Sequence, residues 1–214
     1  MVARQLRSGA INSQVAAIAA RLLCDGDDPD FAAARQRAHL ELGLQAGVSS
    51  ADNLAIHRAM VEYLGLFHHQ AQAQLIDRMR RAALQAMTLL SAFSPRLCGP
   101  VWYGTAAAGS TVNLHLCSDE VEAVTRFLLE RRIEYRLDEQ PFRFSGAKVS
   151  RTMPVFDVTL GGEWFELAVF PSSGQYRLPI SALDRRPMSG ASAAELAATL
   201  DNNILFPDLH AANR

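Results

Sequence analysis

The sequence is poor in lysine. Of its 21 basic residues only Lys148 is a lysine, and all the others are arginines. A P-loop ATPase needs a lysine at the end of a glycine-rich loop, with the spacing G-x-x-x-x-G-K-[ST]. Lys148 lies in the segment Gly146–Ser150, which does not have this spacing. The sequence therefore excludes a P-loop of this kind.

Long apolar runs and a strong net charge are also missing. No run approaches the roughly 18 apolar residues of a membrane-spanning helix, so no membrane partner is expected. The first residues lack the apolar core of a signal peptide, which predicts a cytoplasmic location. The net charge is −1. Strong general nucleic-acid binding is not expected, because it depends on an excess of basic residues.

Cysteine is scarce and widely spaced. The three cysteines are Cys24, Cys98 and Cys117, and no C-x-x-C motif occurs. An odd number at such spacing is not typical of a disulfide framework or a zinc site. We expect buried free thiols in a reducing compartment.

The first part of the chain, residues 1–93, is predicted to be a helical region. It has no strand-like alternation, and Pro29 is its only proline. Apolar residues recur at helical spacing. Four helices are predicted: 11–23; a second opened by Asp28 and ending near 43; a third capped by Ser50 or Asp52; and 70–93.

In residues 94–180 the pattern of apolar residues becomes typical of strands. Thr111–Cys117 alternates apolar and polar residues, which is typical of a half-buried strand. Gly161 and Gly162 separate two alternating runs, which predicts a hairpin with a two-residue turn. The remaining predicted elements are a strand ending at Tyr103, a helix from Ser118–Glu120 to Arg131, and short strands at 133–137 and 142–144. Residues 181–214 are predicted to be a tail with a short helix, Ala193–Leu200, capped by Ser192. The element order predicts an α+β fold.

One segment carries most of the functional information. A strand is followed by Gly104 and Thr105, a loop of small residues, Ser110, and a strand that places residues 111 and 113 on one face. This order over about residues 70–170 resembles the nucleotidyltransferase superfamily of DNA polymerase beta type. The family has Gly-Ser, a loop, a strand with two aspartates at i and i+2, and a third carboxylate on a later strand. The resemblance implies a mixed sheet with helices on one face.

The resemblance assigns a role to each matching position. Gly104 and Thr105 stand at the Gly-Ser, and Ser110 stands before the metal pair. Thr111 and Asn113 stand where the two aspartates are expected, and Glu166 is the candidate third carboxylate. Thr and Asn are neutral and weaker Mg²⁺ ligands than aspartate.

A nucleotide triphosphate and Mg²⁺ are the partners that the resemblance implies. The predicted sites are as follows: catalytic Glu166, Asn113 and Thr111; nucleotide-binding Gly104, Thr105, Ser110 and His115; and metal-binding Glu166, Asn113 and Asp157. The alternative is a catalytically inactive member of the fold that binds a nucleotide or a protein. A protein partner or a homo-oligomer belongs to this alternative.

The chain also resembles a group of proteobacterial proteins of this size, some of them named UDP-N-acetylmuramate–alanine ligases. A ligase of that kind would be about twice as long and would need a phosphate-binding loop with its lysine. The residues do not support that activity.

The hairpin gives a geometric prediction of its own. If Gly161 and Gly162 form a two-residue turn, Asp157 lies directly opposite Glu166 on the same face of the sheet. Two facing carboxylates repel each other unless water, a cation or a shared proton separates them. The alternatives are a solvent-exposed face, a residual cation site with help from Asn113, or a different register.

The arginines and His115 have two interpretations each. Arg78, Arg80 and Arg81 in the fourth helix, and those between 131 and 151, either hold phosphates or pair with nearby acids on solvated faces. His115 shares a strand face with Asn113. It is either a base or phosphate contact, or a hydrogen-bonded structural residue.

Overall fold

A computed structural model describes residues 2–28, 30–44, 50–174 and 176–208. The chain divides into two compact units. The helical unit contains the described residues up to Gln72 together with Ala182–Asp184, and the sheet unit contains Ala73–Ser181 and the described residues from Arg185 onward. This division differs from the sequence-based boundary at residue 93. It also places most of the predicted 181–214 tail in the sheet unit.

The helical unit contains three helices: α1, Val2–Cys24; α2, Phe31–Glu41; and α3, Asn53–Phe67. The N-cap of α2 is Asp30, whose carboxylate accepts from the backbone N–H groups of Ala32 and Ala33. The predicted cap, Asp28, was therefore two residues early, and Pro29 lies outside the described residues. Asp52 caps α3, as one of the two predicted alternatives.

The sheet unit has an α+β fold, as predicted. Its elements are α4, His69–Leu89, which begins before the unit boundary; β1, Arg96–Cys98; α5, Gly99–Tyr103; β2, Val112–Cys117; α6, Val121–Glu130; β3, Tyr135–Phe142; β4, Arg151–Leu160; β5, Glu163–Phe170; and α7, Ala193–Asp201. The strand order is β1-β2-β5-β4-β3. Only β2 and β5 pair in parallel, so the sheet is mixed.

The glycine pair forms the predicted hairpin. Leu160 pairs with Glu163, and Asp157 pairs with Glu166. Both Gly161 and Gly162 have positive φ, as a type I′ turn requires. The predicted register is therefore confirmed.

Two strand predictions were wrong. Residues 99–103 form the short helix α5 rather than a strand, because Gly99 turns the chain at φ 72° and Pro100 fits a first helical turn. The two short strands predicted around 133–144 are one continuous strand, β3. This strand lies at the edge of the sheet and is exposed, so its sequence does not alternate.

The helices α4, α6 and α7 supply residues to the core on one face of the sheet. This face carries the main core, whose members include Met79, Met87, Trp102, Phe156 and Phe165. The opposite face has a smaller cluster, formed by Phe144, Met153, Val155, Ala168 and Phe170. Within the described residues, no helix contributes a side chain to this smaller cluster. Among the described residues, no helix is long and apolar enough to cross a membrane.

The three cysteines are free thiols, as predicted. Cys98 is buried, as predicted, whereas Cys24 and Cys117 are partly exposed, so the predicted burial was wrong for these two. Burial raises the pKa of the Cys24 thiol to about 12, and it also raises that of Cys98. Neither thiol is therefore a thiolate nucleophile at neutral pH.

Candidate functional site

One row of paired residues crosses the face of the sheet that carries the smaller cluster. In strand order it contains Cys98, Asn113, Glu166, Asp157 and Arg136. The parallel pairing of β2 with β5 places Glu166 beside Asn113, and the hairpin places Asp157 on its other side. The structure thus brings the three predicted metal-binding residues into one row.

A cleft of about 510 Å³ opens on this face, near the turn that joins β4 and β5. Its polar and aromatic walls are formed by Thr111, Glu134, Arg136, Asp157, Trp164 and Glu166. Trp164 is 66% exposed, an unusual position for so large an apolar side chain. The cleft is therefore the candidate site, and it contains three of the residues predicted from the sequence.

Arg136 neutralises one of the two facing carboxylates. Its Nε and Nη2 atoms donate to Oδ2 of Asp157 at 2.9 and 2.6 Å. The arginine comes from the neighbouring edge strand and not from a residue close in sequence. The guanidinium group thus offsets part of the charge of Asp157, and it engages the Oδ2 atom of that carboxylate.

Glu166 has no ion pair within the described residues. Its pKa is raised, first by burial and second by the charge of Asp157, while a hydrogen bond from Gln140 opposes the rise. A carboxyl group with a raised pKa accepts a proton more readily than an exposed glutamate. Among the described residues, Glu166 is the carboxyl group of the row that has no ion pair.

The side chain of Asn113 is covered by Gly99, the first residue of α5. A Cβ atom at Gly99 would lie 2.7 Å from Nδ2 of Asn113, so the amide packs directly on the backbone of residue 99. Its Oδ1 atom is buried and has no hydrogen-bond partner. Asn113 does not line the cleft, although it belongs to the same row.

The predicted phosphate-binding residues lie apart from the cleft. Gly104 ends α5 at φ 82°, and a Cβ atom there would collide with the carbonyl oxygen of Leu205. Thr105 is buried, and its N–H donates to the Pro100 carbonyl at 2.9 Å. In this arrangement the C-terminal segment covers the place where the triphosphate was expected.

Two further predicted residues are used in local structure. Ser110 accepts a hydrogen bond from the N–H of Ala107 at 2.9 Å, which closes a tight turn. The His115 ring packs against Phe170 and Phe142, at centroid distances of 4.7 and 6.3 Å. Burial lowers the pKa of His115 to about 4, so the ring is neutral at physiological pH. It therefore offers no positive charge to a phosphate.

Arg80 has a structural role that the sequence did not reveal. It is 2% exposed. Its guanidinium donates to the carbonyl groups of Val101, Trp102, Ile204 and Leu205 at 2.6–3.1 Å. These carbonyl groups lie at the end of α5 and after α7, where helices leave acceptors unpaired. Arg80 thus joins α4, α5 and the C-terminal segment.

The other arginines of α4 pair with acids at the surface. Arg78 contacts Glu163 at 2.7 Å, and Arg81 contacts Asp77 four residues earlier at 2.8 Å. For these two residues the solvated interpretation is confirmed. Exposed pairs of this kind contribute about 0.2–1 kcal/mol.

The residues of the site do not fit a two-metal centre. Within the described parts of the chain, no group of three or more His, Cys, Asp or Glu side chains is placed to hold a metal ion. Asp157 is bonded to Arg136, Asn113 is covered, and Thr111 is neutral. Glu166 is then the one carboxylate of the row without an ion pair in the described part of the chain, whereas Mg²⁺ prefers several oxygen ligands in near-octahedral arrangement.

Comparison with known proteins gives no independent assignment. No protein-family profile, curated protein or solved structure matches this chain.

Proposed function

We propose that this protein is a catalytically inactive member of the nucleotidyltransferase-like fold, and that it acts as a protein-interaction module. The observation that carries the proposal is the ion pair between Arg136 and Asp157. It engages one carboxylate of the row in which, among the described residues, the predicted metal ligands meet. Two-metal transfer needs several anionic ligands, and this row retains Glu166 alone.

The charge of the cleft favours a protein over a nucleotide. Its walls carry the carboxyl groups of Glu134, Asp157 and Glu166 against the single guanidinium of Arg136. Charges of one sign in a cleft repel ligands of the same sign. A triphosphate would therefore be repelled, and the segment that would normally approach it, Gly104–Thr105, is covered.

Thermal melting with nucleotides tests this proposal. The protein is melted with ATP, GTP, CTP and UTP, each with Mg²⁺ and with EDTA. A ligand that binds only the native state raises the midpoint by mass action. We expect no shift in any of the eight conditions. A shift that persists in EDTA would support a catalytically inactive protein whose partner is a nucleotide and not another protein.

The second candidate is a Mg²⁺-dependent nucleotidyltransferase with an unknown acceptor. It is favoured by one observation, the register that sets Glu166 beside Asn113 with Thr111 at the edge of the cleft. A melting shift that requires Mg²⁺ would support it. Loss of that shift in Glu166→Gln would then place the metal in this row.

A further inference from the structure

The two edges of the sheet differ in whether another segment of the chain pairs with them. At the β1 edge, Leu97 and Ala191 exchange two backbone hydrogen bonds of 2.8 Å, so this edge is covered. At the other edge, β3 pairs with β4 alone. No strand pairs with the outer side of β3 within the described residues. Such a side presents a row of backbone donors and acceptors to another chain.

The open edge is long and exposed. β3 has eight residues, a length at or above the common range for strands. Its central residues, Arg136–Glu139, are all exposed. Pro141 has no N–H to donate, and the N–H of Glu139 donates to Oδ1 of Asp138 at 2.8 Å.

The side chains of this edge are predominantly acidic. Glu134, Asp138 and Glu139 have no ion pair within the described residues. Within β3 itself the single basic residue is Arg136, which is held by Asp157 at 2.6 Å. Arg143 follows the strand directly, at the end opposite Glu134. Charges on an edge strand discourage pairing with neutral or like-charged strands. The same charges attract a strand of opposite sign.

The geometry points to β3 as a docking edge for an extended basic segment of another protein, which adds as a sixth strand of the sheet. This inference rests on the proposed role as an interaction module and names the class of partner. Main-chain hydrogen bonds supply the pairing, and arginine or lysine side chains face the unpaired carboxylates. Nucleic acids and anionic lipids are repelled by these carboxylates. A second copy would bring two acidic edges together.

Binding of a simple peptide tests the inference on the full-length protein. The probe is a fluorescein-labelled decapeptide of alternating arginine and threonine, and the matched control alternates glutamate and threonine. Fluorescence anisotropy measures both affinities. We expect only the arginine peptide to bind, and we expect its affinity to fall as salt is added.

Backbone methylation separates strand addition from plain charge attraction. In an added strand, alternate N–H groups point toward β3. Methylation of one set of alternate nitrogens should weaken binding on the order of tenfold, because several hydrogen bonds are lost. Methylation of the other set should leave the affinity unchanged. Equal affinities for the two methylated peptides would overturn the inference.

Charge variants locate the docking edge. Glu134→Gln and Glu139→Gln should each weaken the arginine peptide about threefold, the effect of one exposed ion pair. Glu122→Gln is the matched control, since it removes the same charge from an exposed position on α6. Equal effects in all three variants would contradict docking at β3.

Hydrogen exchange and molar mass complete the test. The amide groups of β3 should gain protection when the arginine peptide is added. Absence of binding at millimolar peptide would overturn the inference, while a flat melting series with nucleotides would leave the proposed function in place. A molar mass of a dimer, together with β3 amides that are protected before peptide is added, would show that a second copy occupies the edge. That result would also overturn the inference.

Discussion

The two units reach their cores by different means. Of the ten described residues buried in the core cluster of the helical unit, six are alanines, among them Ala16, Ala19, Ala20, Ala34 and Ala38. The sheet unit instead buries large side chains such as Phe156 and Phe165. It also holds a buried arginine and a covered glycine. Close helix packing therefore stabilises the first unit, whereas a large apolar area and a few specific polar contacts stabilise the second.

Because of this difference, unfolding of the two units can be followed separately. Both tryptophans, Trp102 and Trp164, belong to the sheet unit, so their fluorescence reports on that unit alone. Far-UV circular dichroism reports on the helices of both. The two signals together separate unfolding of one unit from unfolding of the other.

The largest effect is expected at Arg80. Arg80→Met leaves four buried or partly buried carbonyl groups without their donor, which should lower the unfolding free energy of the sheet unit by about 3–5 kcal/mol. Urea unfolding followed by tryptophan fluorescence measures this change. Arg81→Met is the control, because Arg81 forms an exposed pair worth less than about 1 kcal/mol. Similar losses in the two variants would contradict the role of Arg80.

Gly104 should be the next most sensitive position. In Gly104→Ala the new methyl group collides with the Leu205 carbonyl and the positive φ is strained as well, so we expect a loss of about 3 kcal/mol. Gly109→Ala is the matched control, since φ is 84° there but no atom lies within 4 Å of the added Cβ. That variant should lose only about 1 kcal/mol. Equal losses would show that the C-terminal segment does not press on Gly104.

Each unit contains one histidine whose pKa is lowered to about 4. Burial is the main cause for both His57 and His115, and the charge of Arg58 contributes for His57. The unfolded state binds more protons between pH 6.5 and about 4, so stability is full above pH 6.5 and is lost as the pH falls through this window. The loss should reach up to about 3 kcal/mol per histidine.

The pH dependence separates the units. His115→Phe should flatten the decline of the fluorescence-detected stability between pH 7.5 and pH 5, and it should leave the decline of the helical unit in place. His57→Phe should do the reverse. Unfolding free energies from urea titrations at the two pH values give the comparison. A decline that persists unchanged in both variants would show that these histidines do not cause it.

The alanine core of the helical unit should resist enlargement. Ala34→Leu adds a side chain where α2 is fully buried, which should cost about 2 kcal/mol through overpacking. Ala32→Leu enlarges an exposed position of the same helix and should change stability by less than about 0.5 kcal/mol. Circular dichroism during urea unfolding measures both. A tolerated Ala34→Leu would mean that the helices are not closely packed at this position.

The smallest effect concerns the site itself. Asp157→Asn removes the charge that helps to raise the pKa of Glu166, so that pKa should fall toward its ordinary value. Carboxyl carbon shifts in an NMR pH titration measure the change. Thr159 also lines the cleft. Thr159→Ala changes this residue without changing the charge, so it serves as the control. An unchanged Glu166 pKa in Asp157→Asn would show that burial alone causes the shift.

Local patterns in the sequence predicted local structure well. The alternation of Thr111–Cys117 and the glycine pair at 161–162 predicted a strand, a hairpin and the pairing of Asp157 with Glu166. These features depend on residues close together along the chain. The α+β class followed from their order.

What the sequence did not reveal depends on contacts between distant residues. The partner of Asp157 is Arg136, on the neighbouring strand β3. The sequence had suggested instead that Arg136 pairs with acids nearby in the chain or holds phosphates. Gly104 is covered by Leu205, about a hundred residues further along the chain. Periodicity contains no information on such contacts, and these two changed the interpretation of the site.

Paramagnetic NMR with Mn²⁺ tests the central claim most directly, because Mn²⁺ occupies the same oxygen-rich sites as Mg²⁺ and broadens nearby resonances. The full-length protein is titrated with Mn²⁺ in the presence of each nucleotide triphosphate. If the Arg136–Asp157 pair closes the row to metal, the amide signals of Thr111, Asn113 and Glu166 should broaden no more than those of exposed acids elsewhere. Selective broadening of these three signals at low Mn²⁺ concentration would contradict the account and restore a metal-dependent enzyme.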